Sequence, residues 1–168
     1  NEEGKEVEEG QIGTIELKGE NIFKGYWEME EKTKESFKDD GFFITGDLAM
    51  KDENGYFTIV GRDKDMIISG GLNVYPKEIE DVLNELPNIT ESAVFGVQHD
   101  DFGEAVVAAV VTTDDKNDGS QILDYTKDKI AKYKQPKKII FMSNLPRNSM
   151  GKVQKNKLRE NNKSLFKS

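Results

Sequence analysis

Three observations predict an α+β fold for this 168-residue chain. Short alternating segments separated by glycine turns fill residues 11 to 62. Beyond Asp65, helical and strand patterns follow one another. The apolar run from Ala105 to Val111 is long enough for a buried strand. A third of the residues are charged, yet such runs supply a core. The change of pattern divides the chain into a mostly β segment, residues 1–63, and an α+β domain, residues 64–168.

In the first segment, Thr14–Leu17 alternates as a strand does, and Phe23–Trp27 is a second strand candidate. Glu30–Phe37 reads as a short helix. Ala49–Lys51 and Tyr56–Val60 form a hairpin closed by Asp52-Glu53-Asn54-Gly55, a turn rather than a calcium loop, which needs more ligands. Phe23, Tyr26 and Trp27 are expected in the core, although the segment has little core of its own.

In the second segment, Met66–Ser69 is a strand and Gly70-Gly71-Leu72-Asn73 a loop. Pro76–Leu83 opens a helix with proline in its first turn and acids nearby, as the helix dipole favours. Ile79, Val82, Leu83 and Leu86 recur at helical spacing and form its buried face. Glu91–Val97 and Glu104–Thr113 are strands, and residues 114–119 a polar connection. Gln121–Tyr133 is an amphipathic helix offering Ile122, Leu123, Tyr125 and Ile130 to the core. Lys138–Met142 is the last strand and Lys155–Asn161 the last helix.

Composition excludes several classes of function. A net charge of -8 argues against a nucleic-acid partner, because a phosphate backbone needs a basic face. The absence of cysteine removes disulfides and thiol chemistry, and fits a reducing compartment. No apolar run approaches the roughly 20 residues of a membrane helix, and the N-terminus has no signal pattern. A cytoplasmic or organelle-matrix location is expected. The opening Asn1-Glu2-Glu3-Gly4-Lys5 reads as the start of a piece of a longer protein.

Taken singly, the residues able to carry chemistry have ordinary readings. Gly151-Lys152 is a lysine on a solvated loop, although a lone ammonium on a long arm suits the bridging of two anions. Asp47, in Thr45-Gly46-Asp47, ends a strand or caps a turn; a carboxylate there can also accept from two ribose hydroxyls. Arg62 makes a surface ion pair with Asp63 or Asp65. Gly70-Gly71 is a tight turn. His99 is a loop residue, and the lysines between Lys127 and Lys138 form a solvated face.

Leu145-Pro146-Arg147-Asn148-Ser149-Met150-Gly151-Lys152-Val153-Gln154-Lys155, with Thr45-Gly46-Asp47 and Gly61-Arg62-Asp63-Lys64-Asp65, resembles the C-terminal portion of the adenylate-forming acyl-CoA synthetase (AMP-binding enzyme) family. The likeness runs from about Gly13 to Arg159 and is strongest to its malonyl-CoA synthetase branch. Phe23–Trp27, Asp101-Phe102-Gly103-Glu104 and Tyr133–Phe141 carry that finer likeness. Such enzymes activate a carboxylic acid with ATP, as its Mg2+ complex, to an acyl-AMP and pass the acyl group to coenzyme A. The resemblance implies a small mobile C-terminal α+β domain, preceded by the β-rich end of a large N-terminal domain, which is its partner.

By the same resemblance, Lys152 is the adenylation lysine. Asp47 and Arg62 meet the ribose of ATP, with Ile59 against the nucleotide. Lys64 is the hinge about which the C-terminal domain rotates between half-reactions. Gly70 and Gly71 line the pantetheine channel, and no residue is assigned to a metal. Ile44 replaces a basic residue common in relatives before the threonine. Val153-Gln154-Lys155 favours acid–CoA ligases over peptide-synthetase adenylation domains, where aspartate-arginine usually follows the lysine. The Ser/Thr/Gly-rich phosphate loop and the aromatic-Gly-x-Thr-Glu segment of complete enzymes do not occur in these residues, so the 168 residues alone are expected to be inactive. Two alternatives remain open: an interaction module that kept the fold without the activity, and an adenylation domain serving a carrier protein.

Overall fold

A computed structural model of the protein describes residue 1, residues 3–113 and residues 119–167. Its contacts divide the chain into two compact units, Asn1–Lys64 and Asp65–Ser168.

In the first unit, alternating residues build the antiparallel sheet β1 (Ile12–Leu17), β2 (Phe43–Lys51) and β3 (Phe57–Arg62), with β2 central. Asp52 closes the β2–β3 connection. Its Oδ1 accepts from the amides of Asn54, at 2.9 Å, and Tyr56, at 2.8 Å, which is a turn role as expected. Helix α1 (Glu30–Ser36) lies between β1 and β2 in sequence. Only Leu48 and Ala49 among the described residues of this unit are buried.

Residues 23–27 do not form the expected strand. The amide of Tyr26 donates to Thr33 Oγ1 of α1 at 2.9 Å, so a helix side chain takes the donor that a ladder would have used. Phe23 joins Tyr26, Phe37 and Phe43 in an aromatic cluster with ring centroids 5.0–5.6 Å apart. Trp27 stands outside it at 87% exposure, contrary to its expected place in the core.

The second unit is a five-stranded sheet covered on both faces. Its elements are β4 (Ile67–Ser69), β5 (Leu72–Val74), α2 (Pro76–Asn84), β6 (Ile89–His99), β7 (Gly103–Thr112), α3 (Ser120–Lys127), β8 (Lys138–Phe141) and α4 (Lys155–Asn161). The strand order is β5-β4-β7-β6, with β8 parallel to β7. Alternate residues of the long β6–β7 ribbon serve two cores. Val94, Val106, Ala108 and Val110 pack with Ile79 and Leu83 of α2 and Ile122 of α3. Ala93, Phe95, Val97, Val107 and Ala109 pack with Leu145 and with Leu158 of α4. Burial on both faces is why this ribbon reads as a continuous apolar run instead of an alternating one.

Three elements differ from expectation. Gly70 and Gly71 alone connect β4 to β5, because Ser69 pairs Leu72; Leu72 and Asn73 belong to a strand. Helix α3 stops at Lys127 and does not reach Tyr133. The amides of Lys129 and Ile130 both donate to Thr126 O, Ala131 is extended, and a separate 3-10 turn spans Lys132–Lys134 ahead of Pro136. Of the helix's candidate core residues, Tyr125 is only partly buried and donates its hydroxyl to Glu85. His99 is the last residue of β6, between the rings of Phe102 and Phe166. The predicted polar connection lies outside the described residues except for its end at Gly119. Among the described residues, no helix is long and apolar enough to cross a membrane.

Candidate active site

In the first unit, the sheet register brings three of the singled-out residues onto one face. Asp47 of β2 pairs with Arg62 of β3, and Ala49 pairs with Ile59. Residues 47 and 49 share a face because side chains alternate along a strand. Ile59 and Arg62, three apart, share it too, since the register shift absorbs one extra residue of β3. Arg62 Nε lies 2.7 Å from Asp47 Oδ1, and Arg62 Nη1 donates to Thr45 O at 2.8 Å. The pair crosses the ladder instead of joining Arg62 to its sequence neighbours Asp63 or Asp65.

Thr45 holds the turn of chain before Asp47. Its hydroxyl donates to Ile15 O on β1 at 2.8 Å and accepts from the Asp47 amide at 3.0 Å. Gly46 between them has φ 71°. A carboxylate has about four lone-pair sites, so acceptor capacity remains on Asp47 beyond the single ion-pair contact. Ile59 is 54% exposed, an apolar side chain free to pack against a planar ligand. Lys64 is exposed in the 3-10 turn Asp63–Asp65, at the last residue of the first unit.

In the second unit, Gly70 (φ 60°) and Gly71 (φ 78°) have positive φ at both centres of a two-residue hairpin, the requirement of a type I′ turn. The turn is tied to the start of β7: Gly70 N donates to Phe102 O at 2.8 Å, and Glu104 Oε2 accepts from Ile68 N at 2.9 Å.

Lys152 rides on a second, closed loop. Arg147 and Val153 form an antiparallel bridge, and Gln154 N donates to Pro146 O at 2.7 Å. Asn148 donates its amide to Lys152 O at 2.9 Å. Its Oδ1 accepts from Met150 N at 3.0 Å and Lys152 N at 2.9 Å. Gly151 sits at φ 78° with nothing within 4 Å of where a Cβ would stand. Backbone conformation, not crowding inside this chain, requires glycine there. Arg147 donates to Gly151 O at 2.6 Å and pairs with Glu91 of β6 at 2.8 Å.

The Gly70-Gly71 turn and the Lys152 loop stand toward opposite ends of the β6–β7 ribbon. The turn joins the sheet at Gly103, the partner of His99; the Lys152 loop is tied to Glu91, partner of Val111. The eight steps along the strand from Glu91 to His99 correspond to about 26 Å. Asn148, Arg147, Glu91 and Glu104 were not singled out in the sequence. Only Asn148 left a local signal, an asparagine three residues ahead of a glycine; the Arg147–Glu91 pair and the bond of Glu104 to Ile68 join residues distant in sequence.

Among the described residues, no three His, Asp or Glu side chains gather as a metal site. The lysines of residues 127–138 are engaged in part. Lys134 is bidentate to Glu78 at 2.7 Å. Burial pulls its ammonium down, and the bond to Glu78 and its charge outweigh this, leaving the pKa raised.

A two-layered cover of helices on this sheet, with a lysine on a glycine loop ahead of the last helix, defines a class of domain. Residues 78–152 match the family described as AMP-binding enzyme C-terminal domain. Over those residues the chain carries the C-terminal domain of AMP-binding enzymes. It is similar to MatB from Rhodopseudomonas palustris in its ATP-bound crystal structure, with 57% identity and a TM-score of 0.91 over 98% of this chain and 33% of that one. It is also 41% identical to indoleacetate–CoA ligase of Aromatoleum aromaticum, covering 95% of this chain and 31% of that protein. With the long-chain-fatty-acid–CoA ligase FadD13 of Mycobacterium tuberculosis it shares 44% identity, covering 88% and 29%. The chain spans about a third of the length of the relatives it matches.

Proposed function

We propose that this chain is the part of an ATP-dependent acid–CoA ligase that supplies the adenylation lysine and the pantetheine turn, with malonate as the acid. In the first half-reaction a carboxylate oxygen of the acid attacks the α-phosphorus of ATP, and pyrophosphate leaves. Negative charge builds on the α-phosphate and the leaving group. Lys152 neutralises it from a loop preset by its own hydrogen bonds, which costs no reorganisation during the reaction. Asp47 accepts from the ribose hydroxyls, Arg62 holds that carboxylate and the sugar, and Ile59 packs on the nucleotide.

In the second half-reaction the sulfur of coenzyme A attacks the acyl carbon, the thiol proton is released and AMP departs. Gly70 and Gly71, without side chains, admit the pantetheine arm close to the backbone. The observation that supports two presentations of one domain is the placement of the Lys152 loop and the Gly70-Gly71 turn toward opposite ends of one rigid ribbon. A single reacting centre cannot meet both in one orientation; rotation about Lys64, at the unit boundary, exchanges them. Nucleotide, Mg2+ and acid would also need the large N-terminal domain of such an enzyme.

Malonate is the acid of the branch that the motifs resemble. The relatives act on acids as different as indoleacetate and long-chain fatty acids, so this part of the enzyme does not dictate the acid. The test is ATP–pyrophosphate exchange, run on this chain and on a version extended upstream through a phosphate loop. Exchange with malonate in the extended protein alone is expected. Exchange with another acid would overturn the malonate assignment. Silence with every acid tried would favour an interaction module.

A further inference from the structure

Among the ion pairs of the described residues, Glu80–Lys155 is the most withdrawn from water, with side chains 15% and 16% exposed and 2.6 Å between Oε1 and Nζ. Lys155 is the first residue of α4, one step past the end of the Lys152 loop. Glu80 comes from α2, and the same oxygen accepts from Val94 N at 2.7 Å. Strand β6 is an edge strand, so one carboxylate joins α2, an edge amide and the head of α4.

Two further contacts fix α4. Leu158 is buried against Phe95 and Val97, and Arg159, on the same face as Lys155, donates to Asp65 O at 3.2 Å. The loop ahead of α4 is closed on itself and runs directly into the helix. Apolar packing could hold α4 to the sheet as strongly; a charged pair adds a defined direction and distance. A displacement of about 1 Å in a catalytic group is enough to cost on the order of a hundredfold in rate.

We propose that Glu80 and Lys155 are positioning residues for adenylation, setting where Lys152 stands by locking the first turn of α4 to α2 and β6. This rests on the adenylation role proposed above for Lys152.

The test uses E80Q/K155M in the upstream-extended protein. The glutamine keeps an acceptor for Val94 N, and the methionine fills the lysine stem without leaving an unpaired buried charge, so folding is preserved. Acyl-AMP formation is expected to fall about tenfold or more, as a drop in kcat at nearly constant KM, while thioester formation from supplied acyl-AMP stays within about twofold. Hydrogen exchange at the amides of Asn148, Gly151 and Lys152, measured in the 168-residue chain, should quicken relative to wild type. Unchanged adenylation, or equal loss in both half-reactions, overturns the proposal. K152A separates the two layers. If K152A spares adenylation, the role of Lys152 fails and positioning with it. If K152A abolishes adenylation and the double variant is normal, positioning alone fails.

Discussion

Arg62 Nε and Asp47 Oδ1 meet at 2.7 Å across the β2–β3 ladder, and the register that joins them also turns Ile59 to their side. With the Arg62 side chain 45% exposed, the pair contributes only about 0–1 kcal/mol to stability. In the function proposed above, its role is to orient that carboxylate for the ribose hydroxyls.

D47A should therefore raise the KM for ATP about tenfold or more, the loss of hydrogen bonds to a charged acceptor worth about 1.5–3 kcal/mol. Its unfolding midpoint in urea should barely move. An unchanged KM for ATP would remove Asp47 from the ribose.

For K152A, the adenylation step should lose about 2.7–4 kcal/mol, by analogy with removal of one preorganised donor at a developing negative charge. Thioester formation from supplied acyl-AMP should change far less. Pre-steady-state measurement of both half-reactions decides the matter, and equal losses count against the role.

At Gly151 the backbone sets the cost, since nothing crowds a Cβ. G151A should destabilise by about 1–2 kcal/mol and G151N by less, because asparagine tolerates left-handed φ. Equilibrium denaturation of the two variants compares them; equal cost would mean that φ is not the constraint.

Gly96 is different. A Cβ there would meet Glu104 Oε1 at 2.5 Å. The carboxylate is the far end of a flexible side chain, so G96A should push it off Ile68 N and cost about 1.5–3 kcal/mol, the range for a hydrogen bond to a charged group. G96A and E104A should then be non-additive in a double-mutant cycle, with faster exchange of the Ile68 amide. Additive effects would show that the two positions act independently.

Glu85, which caps the end of α2, accepts from Tyr125 of α3 and from Lys129 just beyond it. The hydrogen bond from Lys129, then that from Tyr125, lowers the pKa of its carboxyl. A lowered pKa means that the native state holds the charged form better than the unfolded chain does. The stabilisation is complete above the ordinary carboxylate range and disappears as pH falls through the native value. Thermal unfolding from pH 3 to 6 should show a shallower acid-side decline in E85Q than in wild type. Parallel curves would refute the linkage.

The elements set by local chemistry were legible in the sequence. Pro76 opening α2, the Asp52–Gly55 turn, and α4 at Lys155–Asn161 each follow from propensity and periodicity acting over a few residues. Phe23–Trp27 was misread because an aromatic alternation looks the same whether its amides join a ladder or meet Thr33. The end of α3 was misread because the apolar Ile130 continues the helical spacing after the chain has already turned at Thr126.

By itself the sequence carried the resemblance to AMP-binding enzymes, through the Lys152, Asp47 and Arg62 motifs, and the alternation of helices and strands. These are properties of neighbouring residues and survive in one dimension. The tertiary structure alone decided that Arg62 pairs with Asp47, that Ile59 shares their face, and that Glu80 reaches Lys155. It also decided that Lys152 and Gly70-Gly71 stand toward opposite ends of the β6–β7 ribbon. Those relationships depend on strand register and helix docking, which a single shifted residue changes without altering any local pattern.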